Sequence, residues 1–314
     1  MHATPELPFY RLNQLPVLGQ AMGNITVLRL DQLGGNAPGN KVFKLRYNLQ
    51  KLQQSGESRV LSFGGAWSNH LHALAAVGAE HGLETIGVVR GGEVQTAMLD
   101  DARRWGMQIV KITRSDYKRR HEVEFQRELA QRFGPCAILP EGGANAEAVR
   151  GCMHIADAIN ARGEKFDRVL VPVGSGATLA GLAAGLAPGT VLHGVSALRG
   201  ASDLGATISS ILKDAAQAAR VDWSILHDFH CGGFARVNRE LRDFLLAFEA
   251  AQSIRLEPVY TAKMFYAAYR MLCEQHWADT EELLLVHTGG LQGRRGYPWL
   301  DGSAESGQSG GTTK

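Results

Sequence analysis

The run Arg168-Val169-Leu170-Val171-Pro172-Val173-Gly174-Ser175-Gly176-Ala177-Thr178-Leu179-Ala180-Gly181 reads as a buried strand, a glycine turn and the start of a helix. A near-continuous apolar run marks a strand covered on both faces, as parallel strands in α/β proteins are. The same junction recurs outward from it. Toward the N-terminus, residues 59–63 form a strand that runs into Gly64-Gly65-Ala66-Trp67-Ser68-Asn69-His70 and an alanine-rich helix to about His81. Strands at 85–89 and 108–112 follow, then a charged helix over 118–132, a strand at 137–139 ending in Pro140-Glu141-Gly142-Gly143-Ala144-Asn145, and a helix to about Arg162. Toward the C-terminus come a strand at 191–195, a long helix to about Arg220, a helix through Phe244 and Leu245, a helix opened by Pro258-Val259-Tyr260-Thr261-Ala262-Lys263, and a final strand and turn at 283–290. This alternation predicts an α/β protein with parallel strands. Residues 45–160 carry their own βαβα pattern, while the segments on either side need each other. The expected organisation is a larger domain of residues 1–44 plus 161–301, a smaller inserted domain of 45–160, a ligand cleft between them, and a disordered Gly/Ser/Thr-rich tail at 302–314.

The chain of 314 residues is 45% hydrophobic and 20% charged, with a formal charge of +2. It carries no long basic run for nucleic acid; Lys118-Arg119-Arg120 reads as a solvated helix start. Cys136, Cys152, Cys231 and Cys273 form no CxxC pair, so neither a metal site nor a disulfide framework is expected. The absence of a basic-then-apolar leader and of an apolar run near 20 residues gives a cytoplasmic expectation with no membrane partner.

Chemistry concentrates at strand-to-helix junctions. Gly34-Gly35-Asn36-Ala37-Pro38-Gly39-Asn40-Lys41-Val42-Phe43-Lys44-Leu45-Arg46 is a glycine-rich turn feeding a helix with two lysines near its positive end. That position lowers a lysine pKa, so Lys41 is the candidate covalent nucleophile. Gly174-Ser175-Gly176-Ala177-Thr178 lacks the lysine of a triphosphate loop and the small third residue of a dinucleotide fingerprint. It suits a phosphate monoester, or simply allows tight packing. Ser68 and Asn69 either hold a carboxylate or cap a helix. His70 is a packed residue or a base, Tyr260 a core ring or the cover of a planar cofactor, and Thr288 a turn residue or a hydroxyl aimed into the cleft. Lys263 rivals Lys41, but its helix reads as an amphipathic packing element. A reactive lysine, a monophosphate cradle, a carboxylate-binding helix start and a hydroxyl at a strand end are together what pyridoxal phosphate chemistry on an amino acid requires.

These motifs resemble the 1-aminocyclopropane-1-carboxylate deaminase and D-cysteine desulfhydrase family, of the tryptophan synthase β-like (fold type II) pyridoxal phosphate enzymes, over roughly residues 30–297. Gly39-Asn40-Lys41 with Lys44-Leu45, and Gly64-Gly65-Ala66-Trp67-Ser68-Asn69, are similar to its motifs. The resemblance implies two open, twisted, mostly parallel sheets flanked by helices, with the cofactor in the cleft. By it, Lys41 binds the cofactor aldehyde, Lys44 and residues Gly174, Ser175, Gly176, Ala177 and Thr178 hold its phosphate, and Asn69 meets its phenolic oxygen. Tyr260 lies against the ring, and Thr288 faces the pyridine nitrogen. Lys41, Ser68 and Tyr260 are the implied catalytic residues; Ser68, Asn69, His70, Phe234 and Thr261 are the implied substrate contacts. Thr261 and Thr288 resemble the D-cysteine desulfhydrase branch, which makes β-elimination from D-cysteine the leading expectation. Ring opening of aminocyclopropane-carboxylate, or cofactor binding without robust turnover, are the alternatives. Phe234 stands where the family places a second tyrosine, and Ala37-Pro38-Gly39 and Trp67 are atypical. A homodimer is implied.

Overall fold

The computed structural model describes residues 6–300, so the expected 302–314 tail lies outside the described residues. In chain order the elements are β1 (Phe9–Arg11), β2 (Asn24–Arg29), α1 (Lys41–Ser55), β3 (Arg59–Gly64), α2 (Asn69–His81), β4 (Glu84–Arg90), α3 (Ala97–Arg104), β5 (Gln108–Ile112), α4 (Arg114–Lys118), α5 (Val123–Phe133), β6 (Ala137–Leu139) and α6 (Ala146–Ala161). They continue with β7 (Arg168–Val173), α7 (Ala177–Gly185), β8 (Val191–Ser196), α8 (Leu204–Asp214), β9 (Asp222–Leu226), α9 (Arg239–Gln252), α10 (Thr261–Cys273) and β10 (Glu282–His287).

Two sheets result: a six-stranded one ordered β1-β2-β10-β7-β8-β9 and a four-stranded one ordered β5-β4-β3-β6. Every pairing is parallel except β1 with β2. Each strand alternates its side chains between two apolar layers. In the larger sheet Val169, Val171 and Val173 enter one core, while Leu170 enters the other with Ile25, Val27, Leu283 and Leu285. In the smaller sheet Val60 and Val89 face one layer and Leu61, Phe63, Ile86 and Val88 the other. Strand β2 brings β10 into register, Ile25 opposite Leu283 and Val27 opposite Leu285. The N- and C-terminal segments therefore complete one sheet.

Several sequence expectations are corrected. The single helix over 118–132 is two: Thr113 caps α4 through its hydroxyl, a 3-10 turn spans Arg119–His121, and extended Glu122 starts α5. Lys118, Arg119 and Arg120 therefore form a break and not a helix start, and Arg119 pairs with Glu122 and Glu128. The helix expected to reach Arg220 ends at Asp214, because Ala216 turns left-handed at φ 53 and the chain becomes edge strand β9. Strands β1, β2 and β9 were not read from the sequence. Helix α6, assigned to the inserted domain, puts Val149, Cys152, Ile155, Ala156 and Ile159 into the larger sheet's core. We propose that the inserted unit ends before it, near Asn145. Helix α1 serves both units, with Phe43 in the larger core and Leu45 and Leu52 in the smaller.

Helices α1 and α6 touch at backbone level: a Cβ on Gly151 would lie 1.9 Å from the Phe43 carbonyl oxygen. Gly151→Ala is expected to cost about 3 kcal/mol or more, since rigid backbone is on the other side. Gly205→Ala in α8, where nothing lies within 4 Å, should be neutral or slightly stabilising. Thermal unfolding of the two variants beside the parent checks the contrast.

Candidate active site

The C-terminal ends of β2, β3, β7, β8 and β10 face the cleft, where open α/β sheets hold ligands. Asn40, the residue before α1, is buried and makes three contacts. Its backbone N–H donates to the Thr288 carbonyl at 3.1 Å, its Nδ2 donates to Thr178 Oγ1 at 2.9 Å, and its Oδ1 accepts from Lys41 Nζ at 2.7 Å. Lys41 is the first residue of α1. Desolvation, helped by the neighbouring Lys44 charge, brings its amine down to about pKa 7.

Lys44, one turn on, is 4% exposed. Its Nζ donates to Gly142 O and Ser175 Oγ, both at 3.1 Å, and burial lowers its pKa. It thus joins the turn after β6 to the turn after β7. At the latter, Gly176 adopts φ 89, and a Cβ there would press on Ile208 Cγ1 at 2.6 Å. Only glycine fits, so the backbone turns sharply into α7, whose first N–H groups, those of Ala177 and Thr178 among them, have no acceptor within the helix. The Tyr260 ring lies over Gly174, where a Cβ would sit 2.9 Å from Cε1. Burial, then the Glu257 charge, raises the Tyr260 pKa.

On the other side, Ser68 caps α2 by accepting from Leu71 N at 3.2 Å. Asn69 Oδ1 accepts from Gln292 Nε2 at 2.8 Å, and its amide nitrogen lies against Gly290. Lys41, Lys44, Asn69, Tyr260, Thr288 and the 174–178 turn are therefore brought together.

Two expected site residues, His70 and Thr261, have different surroundings from those implied. His70 is 2% exposed and pairs through Nε2 with Ser62 Oγ at 3.0 Å, while Ser62 donates to Leu139 O. With the Ser62 proton so directed, Nε2 carries the imidazole proton. Nδ1 faces the Gly143 turn, and burial together with the two lysines lowers the pKa to about 3. It is a neutral packed histidine. Thr261 is wholly buried; its hydroxyl accepts from Glu257 N at 2.7 Å and donates to Glu257 O at 3.1 Å, so it does not reach a substrate. Phe234 is exposed and stands edge-on to Tyr260 at 6.1 Å. Lys263 is buried with Nζ on Gly233 O at 2.7 Å and Ala197 O at 3.3 Å, which is the packing role expected of it.

Sequence reasoning missed three participants. Asn40 was quoted in a motif without a role, although an asparagine between a glycine and a reactive lysine was the available signal. The Gly142 turn gave no signal beyond its glycines. Glu257 is 1% exposed and accepts from Val259 N and Tyr260 N, both at 2.8 Å, at the start of α10. Burial raises it to about pKa 7. Its signal was an acid just before the Pro258-Val259-Tyr260 helix start.

The fold and the lysine pair beside the 174–178 turn, with the comparisons that follow, place the chain among the fold type II pyridoxal phosphate enzymes of the lyase or deaminase class. The chain matches the family described as "Pyridoxal-phosphate dependent enzyme" over residues 7–289, and it belongs to that family. It is 30% identical over 286 residues, 86% of this chain and 89% of the other, to a Thermotoga maritima protein named "Putative 1-aminocyclopropane-1-carboxylate deaminase". It is 27% identical over 299 residues to a Yersinia enterocolitica D-cysteine desulfhydrase, covering 89% of this chain and 90% of that one. Among solved structures, an ACC deaminase homologue superposes with a TM-score of 0.82 at 25% identity, covering 94% and 92% of the two chains. The residues present fit pyridoxal phosphate: an amine of depressed pKa, a lysine-lined anion cradle and an aromatic ring lie around one cleft.

Only a neutral amine attacks an aldehyde. Covalent capture of pyridoxal phosphate by cofactor-free protein should therefore accelerate about tenfold per pH unit up to about pH 7 and level off above it. Stopped-flow absorbance checks this; a midpoint near pH 10 would show that Lys41 is not desolvated, and Lys41→Met should abolish capture.

Proposed function

We propose that the enzyme deaminates a small amino acid to a 2-oxo acid and ammonia, with ring opening of 1-aminocyclopropane-1-carboxylate as the leading reaction. The observation that carries the reading is the Lys41 and Lys44 pair: a desolvated amine one helical turn from an ammonium that bridges Gly142 O and Ser175 Oγ. The stronger-matching relatives each bear the name "Putative 1-aminocyclopropane-1-carboxylate deaminase", which favours this reaction over the D-cysteine elimination expected from Thr261 and Thr288. Thr261 weighs less for the D-cysteine reading because its hydroxyl is bound to the Glu257 backbone. D-cysteine β-elimination remains the second reading, on the Yersinia relative.

Pyridoxal phosphate, when bound, supplies an electron sink for charge developing at the substrate's Cα. In our reading Lys44, Ser175 and the backbone N–H groups at the start of α7 hold its phosphate. Lys41 would hold its aldehyde, and Lys41 Nζ would move protons at the substrate. The start of α2, with Ser68 and Asn69, binds the substrate carboxylate. Tyr260 covers the ring, and Glu257 fixes Tyr260 by accepting its backbone N–H. Thr288 sets the far edge of the site through its carbonyl bond to Asn40.

The holoenzyme is expected to release 2-oxobutanoate and ammonia from aminocyclopropane-carboxylate, and Lys41→Ala should lose at least about a thousandfold in rate together with its covalent visible band. A coupled 2-oxo acid assay measures both. Turnover of D-cysteine alone would favour the second reading, and a band that survives in Lys41→Ala but not in Lys263→Ala would reassign the lysine.

A further inference from the structure

Most exposed apolar side chains need no explanation, but two of the large ones in this protein belong to the cleft. Trp67 is 40% exposed and Phe234 47%. They are linked by a continuous path of contacts. From Gly174 in the cradle it passes to the Tyr260 ring, and from there to Phe234, edge-on at 6.1 Å. Next to Phe234, the Ala235 carbonyl accepts from the Tyr297 hydroxyl at 3.1 Å. Gly296, before Tyr297, packs on Trp67, where a Cβ would lie 3.2 Å from the indole ring. Trp67 itself precedes Ser68, the cap of α2. The two exposed rings are therefore joined through the 296–297 segment, with Tyr260 linking Phe234 to the 174–178 turn.

The loop that carries Phe234 is held firmly. Cys231, Gly232, Gly233 and Ala235 all have positive φ, at 49°, 98°, 111° and 56°. The two non-glycine residues among them keep that conformation only because their surroundings over-determine it. Lys263, with no exposure at all, donates from below to the Gly233 carbonyl at 2.7 Å, and Tyr297 donates from the cleft side to Ala235. An aromatic ring presented to solvent by a strained, doubly anchored loop is a built surface. A substrate that ends at a small β-substituent leaves it uncovered.

We propose that Phe234, Trp67 and Tyr297 form an apolar subsite beyond the substrate's Cβ, and that it admits amino acids whose leaving group carries an apolar or aromatic group: cysteine thioethers. The inference rests on the deaminating-lyase reading above. The step balances without an oxidant or reductant. The Cα proton passes to Lys41 Nζ, the electron pair left at Cα forms a Cα–Cβ double bond, and the Cβ–S bond breaks with its electrons leaving on sulfur. The thiolate takes a proton. The released enamine adds water and loses ammonia, so thioether plus water gives thiol, pyruvate and ammonia.

The test uses the holoenzyme with both enantiomers of cysteine and of S-benzylcysteine, measuring pyruvate release and the change in the visible band on binding. S-Benzylcysteine should show a KM about tenfold or more below that of the same enantiomer of cysteine, the effect of burying part of a phenyl ring. Phe234→Ala and Trp67→Ala should raise the KM of the thioether far more than that of cysteine, and Phe234→Leu should restore part of the difference. A retained cofactor band verifies that each variant is folded. Equal KM values for the two substrates, or a parallel rise for both in Phe234→Ala, overturns the subsite; the lyase reading survives if aminocyclopropane-carboxylate or cysteine still yields a 2-oxo acid. Absence of any 2-oxo acid or band change across the whole panel overturns both.

Discussion

The Asn40 amide fixes the relation among the three segments that make the site. It ties the start of α1 to the turn after β10 through Thr288 O, and to the start of α7 through Thr178 Oγ1, while its remaining oxygen holds Lys41 Nζ. The close approach this needs is visible next door: a Cβ on Gly39 would lie 2.4 Å from the Thr288 carbonyl, and one on Gly289 would lie 2.8 Å from Gly39 Cα. Residue 40 is 6% exposed, so removing any partner would strand a buried polar group, at a cost of about 1–3 kcal/mol. A change that small in energy would still move Lys41, because no other side chain fixes its amine among the hydrogen bonds of the described residues.

The cleft is electrostatically unfinished. Lys41 and Lys44 are one turn apart at the positive end of a helix, and the start of α7 adds its own partial charge. The nearby carboxylate, Glu257, is spent on the N–H groups of Val259 and Tyr260 and is pushed up to about pKa 7 by burial. Desolvated cations so poorly neutralised have two outlets: to lose a proton, or to meet an anion. Lys41 takes the first, which makes it nucleophilic; Lys44, lying between Gly142 O and Ser175 Oγ, is set for the second. One shortage of negative charge thus prepares both halves of an aldehyde-phosphate site.

What could be read from the chain follows from the range of the forces involved. The β7 and β3 junctions were legible because apolar runs ending in glycine reflect burial and local backbone geometry. Helix α6 shows the limit: its apolar stripe says that it is buried, not on which sheet, and its close packing on α7, where a Cβ on Gly181 would lie 2.4 Å from Cys152 Cβ, decides that. Edge strands β1 and β9 are short and half polar, so their pairing depends on a neighbour far along the chain. In the site, Lys41, Lys44 and the 174–178 turn announce themselves by residue type and position. His70 and Thr261 misled because a motif specifies a neighbourhood and not the direction of each side chain; Ser62 and the Glu257 backbone, distant or featureless in sequence, settle their orientations.

The two sheets are joined by two kinds of contact. On one side α1 inserts Phe43 into one core and Leu45 into the other, an apolar hinge that cannot separate without exposing both. On the other side the 3-10 segment Leu291–Gly296 is held by polar contacts. Gln292 donates to Asn69, Arg294 pairs with Glu249 on the larger unit, and Arg295 pairs with Asp101 on the smaller. Burial pushes the Asp101 carboxyl up, but its bonds to Arg295 and His72 outweigh this and hold it at about pKa 2. The Arg295 side chain is 40% exposed but that of Asp101 only 10%, so the pair is half-buried, and without Arg295 the Asp101 carboxylate would depend on His72 and Arg104.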